Sequence, residues 1–319
     1  VLDIHELHLT LPSAQGALPA LRGLSLHLEA GQTLGLIGES GCGKSLTALA
    51  VMGLLPEGAR MQGSIRFEGQ ELTTLPEPAM CRLRGHRIGM VFQEPMTALN
   101  PLHPIGRQVA EPLRLHLGLS ASAARAQALR LLDRVQLPQA AARMAAYPHQ
   151  LSGGQRQRVV IAIALACGPR LLIADEPTTA LDVTTQREVL DLIAGLVRED
   201  GMALLLISHD LGVMADRVQQ LAVMYAGTVV ESGPTAAVFA RRAHPYTRGL
   251  VAARPRLGLA RGTRLATIPG RVPALADMPA GCAFAARCEL AIEACRAAAP
   301  AAVTVAPGHE ARCIRIDAR

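Results

Sequence analysis

The sequence predicts an α/β fold: a largely parallel sheet with interleaved helices, an antiparallel β portion at the N-terminus, and a small cysteine-containing C-terminal appendage. Three observations predict it. Short apolar runs at residues 33–37, 171–174 and 203–207 show little polar alternation, as expected of strands covered on both faces. Between the last two lies a segment with helical spacing, which favours helices layered on a parallel sheet. The first run empties into a glycine-rich loop and then an Ala/Leu-rich helix, an order of elements that suits phosphate.

Taken along the chain, Leu2, Ile4, Leu7, Leu9 and Leu11 alternate loosely, and Leu24, Leu26 and Leu28 cleanly, before a turn at Gly31; both segments read as strands. Residues 33–38 form the strand that enters the loop and 45–55 the helix that leaves it. Residues 63–69 and 88–92 are further strands, and 108–135, broken near Gly118, are helical. After Ser152-Gly153-Gly154 a helix runs to Cys167 and stops at Gly168-Pro169. A strand at 171–174, a helix at 184–197 and strands at 203–207 and 222–225 follow. Beyond about Ala240 proline and glycine punctuate the chain. Residues 1–240 are therefore expected to form one body and 241–319 an appendage with too few large apolar residues to hold a core without a staple.

Composition narrows the function. A chain of 319 residues can bury a substantial core. Its longest apolar run, Val159 to Cys167, is nine residues, far short of a membrane span. The opening Val1-Leu2-Asp3-Ile4-His5-Glu6 lacks a basic flank and an apolar core, so export is not expected and the cytoplasm is. Seven cysteines in such a chain point to buried thiols, redox chemistry or metal ligation rather than a disulfide framework. The net charge of +6 is uneven: residues 1–240 carry 19 basic and 21 acidic side chains, residues 241–319 carry 13 and 5. With no Trp and 2% aromatic residues, the basic tail has almost no base-stacking surface, and nucleic acid is not an expected partner. Of the 32 basic residues 31 are Arg; the single Lys is Lys44. A lone ammonium marks a place where a planar guanidinium would not serve.

Lys44 lies in Gly38-Glu39-Ser40-Gly41-Cys42-Gly43-Lys44-Ser45, which fits the G-x-x-x-x-G-K-[ST] phosphate loop. Gly38, Gly41 and Gly43 let backbone N–H groups, with Ser40, turn inward around phosphates. Lys44 neutralises the terminal phosphates, and Ser45 offers its hydroxyl to Mg²⁺. The following helix points its positive end at the same anion. Leu171-Leu172-Ile173-Ala174 delivers Asp175 and Glu176 together at the end of a strand, the edge of an open parallel sheet where ligands bind. Asp175 suits Mg²⁺, and Glu176 suits orienting or deprotonating an attacking water. Leu151-Ser152-Gly153-Gly154-Gln155 sets a second glycine pair at a helix start.

Together these segments resemble the ATPases of ABC transporters, and the rest of that family's pattern follows in order. Gln93 resembles the Q-loop glutamine that senses Mg²⁺ and the membrane partner, Ala180-Leu181-Asp182 the D-loop, and His209 the switch histidine of the γ-phosphate. The resemblance implies a phosphate-loop NTPase core with a helical subdomain at about 94–165. It also implies a head-to-tail dimer in which Ser152, Gly153, Gly154, Gln155 and Asp182 complete the partner's ATP site. One departure stands out: where the family usually carries an aromatic ring to stack on adenine, the matching position is Leu11. Selectivity for ATP over GTP is therefore expected to be loose.

Met96-Thr97-Ala98-Leu99-Asn100-Pro101, His244-Pro245-Tyr246-Thr247, Ile268-Pro269-Gly270 and Pro279-Ala280-Gly281-Cys282 resemble the oligopeptide and dipeptide importers, a branch that includes nickel and metallophore importers. The resemblance implies an ATPase energising peptide import at the cytoplasmic face of the inner membrane. Its partners would be a second, non-identical ATPase subunit, two transmembrane permease subunits and, indirectly, a periplasmic binding protein. A nucleic-acid or ribosome-associated ATPase is the alternative from another class. Cys282, Cys288, Cys295 and Cys313 are spaced too widely for the C-x-x-C pairs of structural zinc sites. Four thiolates also suit a [4Fe–4S] cluster, which the branch resemblance supports; zinc stays open. Arg287, Arg296 and Arg312 are expected as cationic neighbours of that cluster, and Cys42 as a point of sensitivity to thiol oxidation.

Overall fold

The computed structural model of the chain describes residues 1–14, 16–179, 181–254 and 266–317. It has the predicted mixed α/β architecture, with parallel and antiparallel sheets and helices. The chain divides into two compact units that do not follow chain order. The first gathers Val1, Leu28–Gln32 and Thr74–Ile207, the second Leu2–His27, Thr33–Thr73 and Ser208–Arg319.

In the first unit the strands Ile88–Val91, Leu171–Asp175 and Ala203–Ser208 pair in parallel, Ile88 opposite Leu171 and Leu171 opposite Ala203. All their residues are buried, so there is no wet face to impose polar alternation. The predicted helical stretch is two helices, Ile105–Leu117 and Ala121–Arg134. Gly118 ends the first in a left-handed conformation, and the Ser120 hydroxyl caps the second by accepting from the Ala123 N–H. The helix Val183–Asp200 is longer than its apolar spacing suggests because it is capped at both ends, by Asp182 and by left-handed Gly201. Its C-terminal carboxylates on Glu199 and Asp200 accept from Arg134 at 2.6–3.2 Å.

The second unit holds an antiparallel sheet in the order Gly16–Leu28, Leu2–Ser13, Arg60–Phe67, Gln70–Glu71. The loose alternation of the first strand has a local cause. Leu2, Ile4, Leu7 and Leu9 are all buried, and the three-residue step from Ile4 to Leu7 is a β-bulge between His5 and His8, with Glu6 at φ 45°. Gly63 faces the bulge, where a Cβ would come within 2.4 Å of the Glu6 carbonyl oxygen. Thr33–Ile37 pairs in parallel with Gln220–Tyr225, which continues antiparallel through Thr228–Pro234 to His309–Ala311 and Val303–Ala306. The last two strands belong to the appendage, whose buried residues include Phe284, Cys295 and Ala311. Among the described residues no helix is long and apolar enough to cross a membrane.

Candidate functional site

In the second unit the strand Thr33–Ile37 runs into the loop and then into the helix Lys44–Met52. Gly38 has φ 156°, and a Cβ there would lie 2.3 Å from the Met224 carbonyl oxygen, so the loop turns where only glycine fits. Lys44 is 5% exposed, and its Nζ donates to the carbonyl oxygens of Gly38 at 2.8 Å and Glu39 at 3.1 Å. The ammonium is thus folded back over the loop that carries it. Ser40 and Gly41 are exposed at the turn, Gly43 caps the helix in a left-handed conformation, and Ser45 is half-buried in its first turn. Cys42, expected to sensitise the loop to oxidation, is fully buried, and burial pushes its thiol pKa up; both hold it away from the reactive thiolate form. His209 is exposed beyond the end of Ala203–Ser208, and Leu11 is half-buried in the first strand.

In the first unit Asp175 is buried at the end of its strand, 4% exposed. Glu176, next in the chain, takes φ 45°, a strained value for a residue with a side chain. Its N–H donates to the Ile207 carbonyl at 3.0 Å. Its Oε2 accepts from Gln93 Nε2 at 3.3 Å and from the Thr179 hydroxyl at 3.1 Å. Thr179, which no motif in the sequence marks, lies three residues on and closes a turn back to the carboxylate.

Ser152 and Gln155 form a reciprocal capping box at the start of Gly153–Leu165: the Gln155 N–H donates to Ser152 Oγ at 3.3 Å, and the Ser152 N–H to Gln155 Oε1 at 3.1 Å. Arg143, also unforeseen, donates to the same Oε1 at 3.2 Å. The glycine pair sits against the segment around Asp182: a Cβ on Gly153 would meet Leu181 at 3.3 Å, and one on Gly154 would meet Thr185 at 2.6 Å. Asp182 itself accepts from the N–H groups of Thr184 and Thr185 at 3.1 and 3.0 Å, and hydrogen bonding to Thr185 holds its carboxyl pKa below the usual value. Ala180 lies outside the described residues. The first unit therefore brings Gln93 to Glu176 and the glycine pair to the Asp182 segment.

The four C-terminal thiols share one neighbourhood in the second unit. The Cys282 N–H donates to the Cys295 carbonyl at 2.8 Å. Burial first, and then the other thiols, raise the pKa values of Cys282 and Cys313; Cys288 is raised by burial, Cys295 and Glu289. Among the described residues no three His, Cys, Asp or Glu side chains are grouped to hold a metal ion. Of the expected cationic neighbours, Arg312 lines a cavity with Cys282 and Arg22, and Arg248 also interacts with Cys288, while Arg287 reaches the phosphate loop, with Nη1 3.0 Å from Glu39 Oε2.

Comparison with known proteins agrees with this arrangement. A family model described as "ABC transporter" matches residues 21–179, and one described as "Oligopeptide/dipeptide transporter, C-terminal region" matches residues 230–295. A Brucella melitensis protein provisionally named a peptide import ATP-binding protein is 50% identical over 99% of this chain and 97% of its own length. The oligopeptide transport ATP-binding protein OppD of Salmonella typhimurium is 46% identical over 99% and 93%. Among solved structures, the dimeric post-hydrolysis ATP-binding cassette MJ0796, bound to ADP and Pi, covers 74% of this chain and 99% of its own at a TM-score of 0.66 and 28% identity.

Proposed function

Since this chain belongs to the ABC transporter ATPases, in the branch with the oligopeptide/dipeptide transporter C-terminal region, we propose that it binds and hydrolyses ATP to energise peptide import. The observation that carries the reading is the loop of residues 38–45, with its single buried ammonium at Lys44. The names of the relatives favour peptides over nickel or metallophores and over a nucleic-acid role.

Each residue then has a task. Lys44 leaves its loop carbonyls for the β- and γ-phosphates, which the N–H groups of Gly38, Ser40, Gly41 and Gly43 help to cradle. The Ser45 hydroxyl in the second unit, and the Gln93 amide oxygen and Asp175 carboxylate in the first, are each oxygen donors of the kind that suits Mg²⁺. When bound, that ion spreads the phosphate charge. Glu176, steadied by Gln93 and Thr179, orients the attacking water and takes its proton. His209 contacts the γ-phosphate. Ser152, Gly153, Gly154, Gln155 and Asp182 face the nucleotide of a second ATPase subunit, a role supported by the dimeric cassette neighbour. The pair is a heterodimer seated peripherally on two permease subunits that receive peptide from a binding protein.

Cys282, Cys288, Cys295 and Cys313, which lie near one another in the appendage, would hold a [4Fe–4S] cluster, with zinc as the alternative, since four thiolates suit either. Held by those thiolates, a cluster would supply a multivalent clip for a proline-rich segment. The transport reading is tested with the chain reconstituted beside its permease subunits in vesicles. ATP-dependent uptake of a labelled oligopeptide, abolished by Glu176→Gln, is the expected result, and equal uptake with that variant contradicts it.

A further inference from the structure

The phosphate loop carries a carboxylate that phosphate binding does not call for. Glu39 is its second residue, and a negative charge there stands beside the anion the loop is shaped to hold. Arg287, 248 residues later in the appendage, answers it. One terminal nitrogen of the guanidinium donates to both Glu39 oxygens, at 3.1 and 3.0 Å, and to the Tyr225 hydroxyl at 3.3 Å. The other nitrogens are fixed on backbone: Nε donates to the Pro269 carbonyl at 2.8 Å and the second terminal nitrogen to that of Ile268 at 3.4 Å. The side chain is 5% exposed. Its guanidinium carbon lies 5.7 Å from the ring centre of Tyr225 and 5.8 Å from that of Phe284. Tyr225, Tyr246 and Phe284 pack edge-on or tilted with centroids 4.7–5.4 Å apart. In a chain with only seven Phe and Tyr residues, three are gathered at this one place.

Glu39 is held on its backbone as well. Its N–H donates to the Tyr246 hydroxyl at 2.9 Å, and its carbonyl accepts from Lys44 Nζ at 3.1 Å. From the appendage to the loop's ammonium is therefore a path of two contacts, Arg287 to Glu39 and Glu39 to Lys44. A guanidinium with all three nitrogens engaged, in a site that excludes water, gives both a fixed position and an effective counter-charge.

We propose that Arg287 is a positioning residue of the nucleotide site: it neutralises Glu39 and holds the turn from which Lys44 is suspended, making the appendage a working part of ATP binding. This rests on the reading of residues 38–45 as the ATP site.

The test is equilibrium ATP binding by the full-length chain, with the thermal unfolding midpoint recorded for each variant. Arg287→Gln, uncharged and polar, is expected to weaken ATP binding about tenfold. Adding Glu39→Gln to that variant restores affinity to within about threefold of wild type, because the orphaned charge is gone. If Arg287 only packs the appendage, Arg287→Gln lowers the midpoint without changing affinity, or weakens binding in a way Glu39→Gln does not reverse; either result overturns the proposal. Should Arg287→Gln not fold, Arg287→Lys replaces it. Lys keeps the charge without the bonds to the Pro269 and Ile268 carbonyls that fix the guanidinium, so its ATP affinity falls more steeply with added salt than that of wild type, and an identical salt dependence overturns the proposal. Lys44→Ala, measured alongside, separates the two claims. Binding undiminished by that change overturns the site reading and this inference with it. Loss there with none in Arg287→Gln overturns this inference alone.

Discussion

Gln93 and Glu176, 83 residues apart in the chain, meet through a hydrogen bond of 3.3 Å from the Gln93 amide nitrogen to Glu176 Oε2. Two loops that follow parallel, fully buried strands are thereby joined at their ends. Glu176, at φ 45°, is held by its N–H bond to the Ile207 carbonyl and by the Thr179 hydroxyl, which is the kind of fixed geometry a water-orienting carboxylate needs.

Glu176→Gln retains the shape and the Thr179 contact but loses the basic oxygen. ATP binding by the variant is expected to stay within about threefold of wild type, while turnover falls by about 10² or more. Nucleotide binding and phosphate release, measured on the same preparation, check this. Turnover at the wild-type rate removes Glu176 from its assigned role.

His244 ties stability to pH. It is 1% exposed, and its Nδ1 accepts the Tyr246 N–H at 3.0 Å, capping the helix Pro245–Ala252. Burial, helped by the charge of Arg248, lowers its pKa to about 3. The unfolded imidazole takes up a proton near about pH 6.5, whereas the folded one resists it. Stability is therefore full above about pH 6.5 and is lost as pH falls toward the folded value, at about 1 kcal/mol per pH unit from this group. His244→Asn keeps a capping acceptor without the titration. Urea unfolding between about pH 6.5 and 4.5 should give a flatter pH dependence for that variant, and an unchanged slope contradicts the assignment.

Iron is the readout for the thiols. Anaerobically purified chain should be brown, with broad absorbance near about 400 nm and about four irons per chain. Replacing Cys282, Cys288, Cys295 and Cys313 together by Ser should remove both signals. Colourless protein with one zinc per chain rejects the cluster.

Much of this was legible in the sequence because it is local. The buried strands at 171–174 and 203–207 carry their burial as uninterrupted apolar runs, and Gly118 marks the helix break by its own backbone preference. The roles proposed for Lys44, Asp175 and Glu176 likewise rest on short local motifs. Three features are not local. The slip between Ile4 and Leu7 reads as weak periodicity until Gly63 on the neighbouring strand shows a bulge. The strands Val303–Ala306 and His309–Ala311 are too short to carry a period and exist through pairing, His309–Ala311 with Thr228–Pro234 and Val303–Ala306 with His309–Ala311. Arg287 lies beside Cys288 in sequence, so it reads as a neighbour of the thiols, yet its partner Glu39 is on the phosphate loop. Nothing short of the fold reveals that pairing.

The central claim is that the chain grips a triphosphate through its only lysine, and the most direct measurement is the ATP dissociation constant of the full-length chain with and without Lys44→Ala. At least about tenfold weaker binding is expected of the folded variant. Equal affinity in the two proteins contradicts it.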